Sequence, residues 1–155
     1  MIEVKNVTKK YGDFVAVEDI SFKVEESSIY GLVGYNGAGK TTLLKTAAGI
    51  LKPEGGEVLF DGENVYDNGR VRSSLLYVPD EVYFVKGASL EKMVKIYKGY
   101  FPNFSDKVFK NMTDAMGLDS KKNIGSFSKG MQRQAEAVLA MSTMPKYMLL
   151  DEVFD

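Results

Sequence analysis

Hydrophobic positions along this chain change period several times, and each change marks an element. Ile2, Val4 and Val7 stand among charged neighbours, and Ile20, Phe22 and Val24 alternate with Ser21 and Lys23. Such a period of two predicts half-buried antiparallel strands. Ile29 to Val33 is an apolar run, which predicts a buried strand leading into the glycine-rich segment behind it. From Leu43 the period lengthens. Leu43, Leu44, Ala47, Ala48 and Leu51 form a helical stripe that ends by Pro53. A second β-unit follows, in which Gly55-Gly56 leads into Glu57-Val58-Leu59-Phe60 and Asp61-Gly62 makes a hairpin turn. Ser74 to Val78 is another short apolar strand.

The texture changes at Ser89, which caps a predicted helix carrying Met93, Ile96, Tyr97 and Tyr100 on one side and stopped near Pro102. Ser105 caps the next, with Val108, Phe109, Met112 and Met116 inward and Gly117 as a left-handed stop. A third helix starts at Ser128, and Lys146 to Leu150 reads as a buried strand ending in Asp151-Glu152. The expected architecture is an α/β core built from residues 1–88 and 127–155, with an antiparallel β-subdomain. A small helical subdomain, 89–126, is inserted into it.

The segment between the apolar run and the first helix carries the chemistry. Gly34-Tyr35-Asn36-Gly37-Ala38-Gly39-Lys40-Thr41-Thr42 fits the phosphate-binding P-loop pattern. Glycines 34, 37 and 39 let the backbone curl round a polyanion and offer N–H groups where side chains would collide. The helix behind them points its positive dipole end at the phosphates. In this arrangement Lys40 reaches the β- and γ-phosphates, the Thr41 hydroxyl is a hard ligand for Mg²⁺, and Thr42 adds a second hydroxyl. The strand ending in Asp151-Glu152 supplies the complement. It looks like the Walker B strand of a P-loop ATPase, a resemblance by which Asp151 would hold Mg²⁺ and Glu152 would polarise an attacking water.

Composition narrows the field. With 155 residues, the chain buries roughly 70% of its unfolded surface as one domain with room for a small lobe. Charged residues make up 26% and the net charge is -1, so no basic excess attracts nucleic acid. Cys and His are both absent, which excludes a disulfide framework, a thiolate metal site and His-dependent catalysis within the chain. No apolar run reaches the roughly 20 residues that span a bilayer, and Met1 to Lys5 does not read as a signal peptide.

Phe127-Ser128-Lys129-Gly130-Met131-Gln132-Arg133-Gln134 stands between the two acidic and glycine-rich landmarks. With it, the chain resembles the ATP-binding cassette (ABC) ATPases, whose signature is usually LSGGQ. Ser128, Gly130 and the following helix match. Lys129 and Met131 depart, and the S-K-G-M variant is similar to that of ABC-2 type exporters. The resemblance implies a P-loop NTPase fold of the ABC type, ATP and Mg²⁺ as cofactors, and Glu152 and Lys40 as catalytic groups. It implies an ATP site made by Tyr11, Gly34, Asn36, Gly37, Ala38, Gly39, Lys40, Thr41 and Thr42, with Tyr11 stacking on adenine. Ser128, Lys129 and Gly130 would contact the nucleotide of a second ATPase subunit, head to tail. The position that the family fills with glutamine is Asp80, which adds a candidate metal contact beside Thr41 and Asp151 and departs from the family's relay.

The implied partner is a transmembrane permease subunit, with no nucleic acid, and the implied place is cytoplasmic, on the inner face of the cell membrane. The family continues past Glu152 with a D-loop and a strand leading to a switch histidine. The chain is therefore expected to be a fragment that stops after the Walker B strand, with an incomplete core sheet. Two other readings stay open: a fragment that binds nucleotide without turning it over, and an ABC protein of DNA repair, chromosome structure or translation.

Overall fold

The computed structural model describes residues 1–151. It divides into two compact units, 1–77 with 147–151, and 78–146.

In the first unit, β1 (Ile2–Tyr11) is the central strand of a four-stranded sheet ordered β2-β1-β3-β4, with β2 at Phe14–Val24, β3 at Gly55–Phe60 and β4 at Glu63–Asn64. All its ladders are antiparallel, and the register places Val4 between Phe22 and Val58. That register follows from the alternation, because a slip of one residue would turn Val4 and Val58 to the opposite face. Irregular pairing between Lys5 and Thr8 accompanies Gly56, whose φ is +74°. A side chain there would sit 2.2 Å from the Lys5 carbonyl oxygen, so only glycine lets the strands approach so closely. The turn at Asp61-Gly62 has φ of 51° and 82°, positive at both positions as a two-residue hairpin of matching twist requires.

Helix α1 (Lys40–Ala47) lays Leu43, Ala47 and Ala48 on this sheet, against Val4, Val7, Val58 and Phe60. Val65, Val71 of the short α2 (Gly69–Arg72) and Leu75 complete the core. β5 (Leu75–Val78) and β6 (Tyr147–Leu150) form a second, two-stranded sheet, and the Tyr147 ring meets Phe60 edge-on at 4.9 Å. β6 is half-buried and Leu150 is exposed, so the expectation of a buried strand is corrected.

A larger correction concerns Ile29 to Val33. Among the described residues this run belongs to neither sheet, and Ile29 and Val33 are 102% and 95% exposed. Tyr30 stacks on Phe22 at 5.1 Å and Leu32 packs, partly buried, against the core. Apolar sequence favours a strand only where a neighbouring strand accepts its ladder hydrogen bonds. The described strands make their pairs elsewhere.

In the second unit, α3 (Leu90–Tyr100), α4 (Asp106–Met116) and α5 (Lys129–Ser142) enclose Leu90, Ile124, Ala135, Val138 and Leu139. This unit takes in the helix behind Ser128 as well as residues 89–126. Ser89, Ser105 and Ser128 cap the three helices, their Oγ atoms accepting from Lys92, Val108 and Met131 N–H at 3.4, 3.3 and 3.2 Å. Gly117, with φ 63°, closes α4. Ile96, Tyr100 and Met116 are exposed, against expectation. The buried stripe of α3 runs through Leu90, Met93 and Val94, and Ile96 lies about 110° round the axis from its centre at ~100° per residue. No helix of the described residues is long and apolar enough to cross a membrane.

Candidate functional site

The glycine-rich loop enters α1 through Gly39, which caps the helix in the left-handed region at φ 87°. A side chain at Gly39 would sit 2.3 Å from the Ala16 carbonyl oxygen on β2. Glycine is thus required twice, by conformation and by the pressure of the neighbouring strand. Gly37 also has a positive φ, 85°, and a side chain at Gly34 would press on the Ala38 methyl group at 3.3 Å and meet the Lys40 stem at 3.9 Å. Ala38 N–H closes a turn onto the Tyr35 carbonyl at 3.1 Å, and the first helical bond runs from Leu43 N–H to the Gly39 carbonyl at 2.8 Å. No side chain caps α1. Asn36 stands exposed on the outer rim of the loop.

Lys40 is the first residue of α1, and its Nζ donates to the Gly34 and Tyr35 carbonyl oxygens at 2.8 and 3.2 Å. The ammonium group is thereby held over its own loop. Thr41 Oγ1 donates to Asp151 Oδ1 at 3.1 Å, and the Tyr77 hydroxyl donates to Asp151 Oδ2 at 2.9 Å. Asp151 is 1% exposed, so both its oxygens are bonded, as burial of a carboxylate demands. The Thr42 carbonyl accepts from Thr46 Oγ1 at 2.8 Å, an ordinary intrahelical contact. Beside the loop, a cleft of about 370 Å³ is bounded by Gly39 and Lys40, by Val17 and Ile20 of β2, and by Tyr30.

Thr41 and Asp151 fit a divalent ion of the hard type. Their oxygens adjoin at 3.1 Å, and no cluster of three or more His, Cys, Asp or Glu surrounds them among the described residues. Such a sparse all-oxygen set suits Mg²⁺, which keeps most of its waters and takes phosphate oxygens as further ligands. Tyr11 ends β1 opposite Phe14, half exposed, with Lys9 Nζ 5.7 Å over its ring.

The second unit holds the other predicted positions. Ser128 is the cap of α5, and Lys129 and Gly130 open its first turn in exposed positions. A side chain added at Gly130 would meet nothing within 4 Å. Asp80 bonds Arg133 at 3.0 Å, and Arg133 also bonds Glu136 at 3.2 Å. Metal ligation by Asp80 would need that pair to open. Burial pushes the Glu136 carboxyl above its usual range against the opposing pull of Arg133, and burial with the Glu136 charge raises the Tyr97 hydroxyl. Glu152 lies outside the described residues.

Three participants escaped the sequence reading: Tyr77, the Ala16 carbonyl and Arg133. A tyrosine in a short apolar strand needs an acceptor for its hydroxyl when buried, which was the one available signal for Tyr77. Nothing local announces the other two, since their partners lie 23 and 53 residues away in the chain by their numbers.

Comparison with known proteins agrees with this geometry. A family model described as ABC transporter matches residues 17–155. The ABC transporter ATP-binding protein YtrB of Bacillus subtilis is 28% identical over 155 residues, covering 100% of this chain and 53% of its own length. The bacitracin transport ATP-binding protein BcrA of Bacillus licheniformis is 31% identical, with 98% and 51% covered. The chain thus spans about half the length of these relatives. A solved structure of the ATP binding subunit of an ABC transporter superposes with a TM-score of 0.87 at 25% identity, over 99% of this chain and 67% of that one. The dimeric structure of MJ0796, a bacterial ABC transporter cassette, gives 0.83 at 21%, over 100% and 76%. A glycine-capped helix start beside a buried carboxylate, on a fold shared with those structures and under a family model covering most of the sequence, places the chain in the ABC transporter family.

Proposed function

We propose that the protein carrying this chain binds ATP with Mg²⁺ and hydrolyses it to drive transport by a separate membrane subunit. The carrying observation is the Thr41 Oγ1 to Asp151 Oδ1 contact of 3.1 Å, which joins the start of a P-loop helix to the end of a remote strand. Loop N–H groups and the α1 dipole receive the triphosphate. Lys40 turns from the Gly34 and Tyr35 carbonyls to phosphate oxygens, which add ion pairing to its hydrogen bonds. Thr41 and Asp151 hold Mg²⁺, which neutralises charge on the β- and γ-phosphates when bound. Glu152 acts as the general base toward water. Tyr11 stacks on the adenine.

Ser128, Lys129 and Gly130 serve the nucleotide of a second ATPase subunit, so that ATP closes a head-to-tail dimer and hydrolysis reopens it. The dimeric MJ0796 cassette supports that assembly. Residues 89–126 act as a helical subdomain toward the permease, and the subunit works at the cytoplasmic face of the membrane. A relative named for bacitracin transport supports a transport role.

Titrating a non-hydrolysable ATP analogue with Mg²⁺ into the full-length protein tests the reading. Saturable binding that needs both Mg²⁺ and Asp151 is expected; equal affinity in Asp151→Asn without Mg²⁺ would sink it. Recovery of a membrane subunit in a pull-down with the full-length protein tests the partner.

A further inference from the structure

Lys9 is a lysine in an unusual place. It belongs to β1, yet its side chain is only 11% exposed, where most lysines stand in water. Its Nζ donates to the Lys52 carbonyl oxygen and to Glu54 Oε1, both at 2.7 Å, and lies 5.7 Å over the Tyr11 ring. Glu54 Oε2 accepts from the Lys10 N–H at 2.6 Å, and the Glu54 N–H donates to the Thr8 carbonyl at 2.9 Å. Strand residues 8–10 are thus stapled to the turn at 52–54. That turn is the exit of α1, since Ile50 and Leu51 N–H both close onto the Lys45 carbonyl. The Lys9 ammonium, with the Lys10 N–H second, holds the Glu54 carboxyl below its usual range.

Residues i and i+2 of a strand share a face, which puts the Lys9 ammonium and the Tyr11 ring side by side. A cation over an aromatic face attracts the ring. Glu54 and the Lys52 carbonyl hold that cation in turn, so the ring's position is referred to the helix that begins with Lys40 and Thr41.

We propose that Lys9, held by Glu54, is a positioning residue that sets the Tyr11 ring for a purine base. The inference rests on the reading of Tyr11 as the base platform. One face of the ring is taken by the ammonium group and the other receives the base. The base's share of nucleotide affinity then depends on Lys9, while the triphosphate's share does not.

Affinities for Mg-ATP and for Mg-tripolyphosphate, measured by calorimetry on the full-length protein, separate these effects. Tyr11→Ala should weaken ATP by about tenfold or more, from the lost stacking, and leave tripolyphosphate unchanged. Lys9→Met, which keeps the apolar stem, should weaken ATP by about threefold to fivefold and leave tripolyphosphate unchanged. Lys9→Arg should restore ATP affinity. Equal losses for both ligands in Lys9→Met would show an effect on the fold or the phosphates and overturn the proposal. So would an unchanged ATP affinity in Lys9→Met beside a weakened Tyr11→Ala. An unchanged Tyr11→Ala would remove the base platform itself, and the proposal with it.

Discussion

Two helices of this chain begin at its glycine-bearing motifs, and they begin in opposite ways. α1 starts from left-handed Gly39 with no side-chain cap, whereas α5 starts from Ser128, whose hydroxyl already accepts the Met131 N–H at 3.2 Å. Among the described helices α1 alone lacks a side-chain cap. It is held instead by burying Leu43, Ala47 and Ala48. The first unit therefore leaves a helix end to a ligand and secures the helix by packing. The second unit secures its helix locally, through the Ser128 hydroxyl.

Substitutions at these two helix starts, and one inside α5, break the comparison in graded steps. The largest effect is expected from Lys40→Ala, which should weaken Mg-ATP by about a thousandfold, or about 4 kcal/mol, with the melting temperature of the ligand-free protein almost unmoved. Calorimetry beside a thermal scan checks this, and unchanged affinity would overturn the phosphate role of the loop. Gly39→Ala should cost about 2–3 kcal/mol of stability, from the positive φ and the Ala16 carbonyl. Its denaturant midpoint should fall accordingly, and a stable Gly39→Ala protein would show that β2 does not press on the loop.

Ser128→Ala removes a cap worth about 1 kcal/mol. It should lower the melting temperature by several degrees yet leave ATP binding at the same chain's P-loop within about twofold. Phosphate release should fall as well if the serine serves the other subunit; unimpaired turnover would confine Ser128 to capping. The smallest effect concerns Glu136. Its carboxyl is raised by burial, so the folded state holds its proton more tightly than the unfolded chain. The penalty is absent below the ordinary carboxylate range, grows as pH rises toward the raised folded value, and is constant above it. Glu136→Gln should therefore gain up to about 1 kcal/mol at pH 7 relative to wild type, and nothing at pH 3. Urea unfolding at the two pH values reads the difference, and a loss at pH 7 would mean that Arg133 needs this partner.

How much was legible depends on how local the cause is. The serine caps of α3, α4 and α5, the Gly117 stop and the Asp61-Gly62 turn each depend on neighbours within a few residues, and all stand where the sequence puts them. The P-loop was legible because its spacing encodes its own backbone. Ile29 to Val33 misled, since a strand is a property of a pair and the run says nothing of its partner. Ile96 and Tyr100 misled for a related reason: an apolar stripe shows which face is buried only after the opposing helix is known.

By itself the sequence determined the helix starts, the turns, the central β-alternation and the glycine loop, because each is fixed by conformational preference over a handful of residues. It also determined the family, through three motifs in order. Only the tertiary structure decided that Tyr77 and Thr41 share Asp151, that Ala16 forces glycine at 39, and that Lys9 lies between Glu54 and Tyr11. Those meetings join positions distant in the chain. Their partners are chosen by which surfaces the core brings together, and no local preference records that choice.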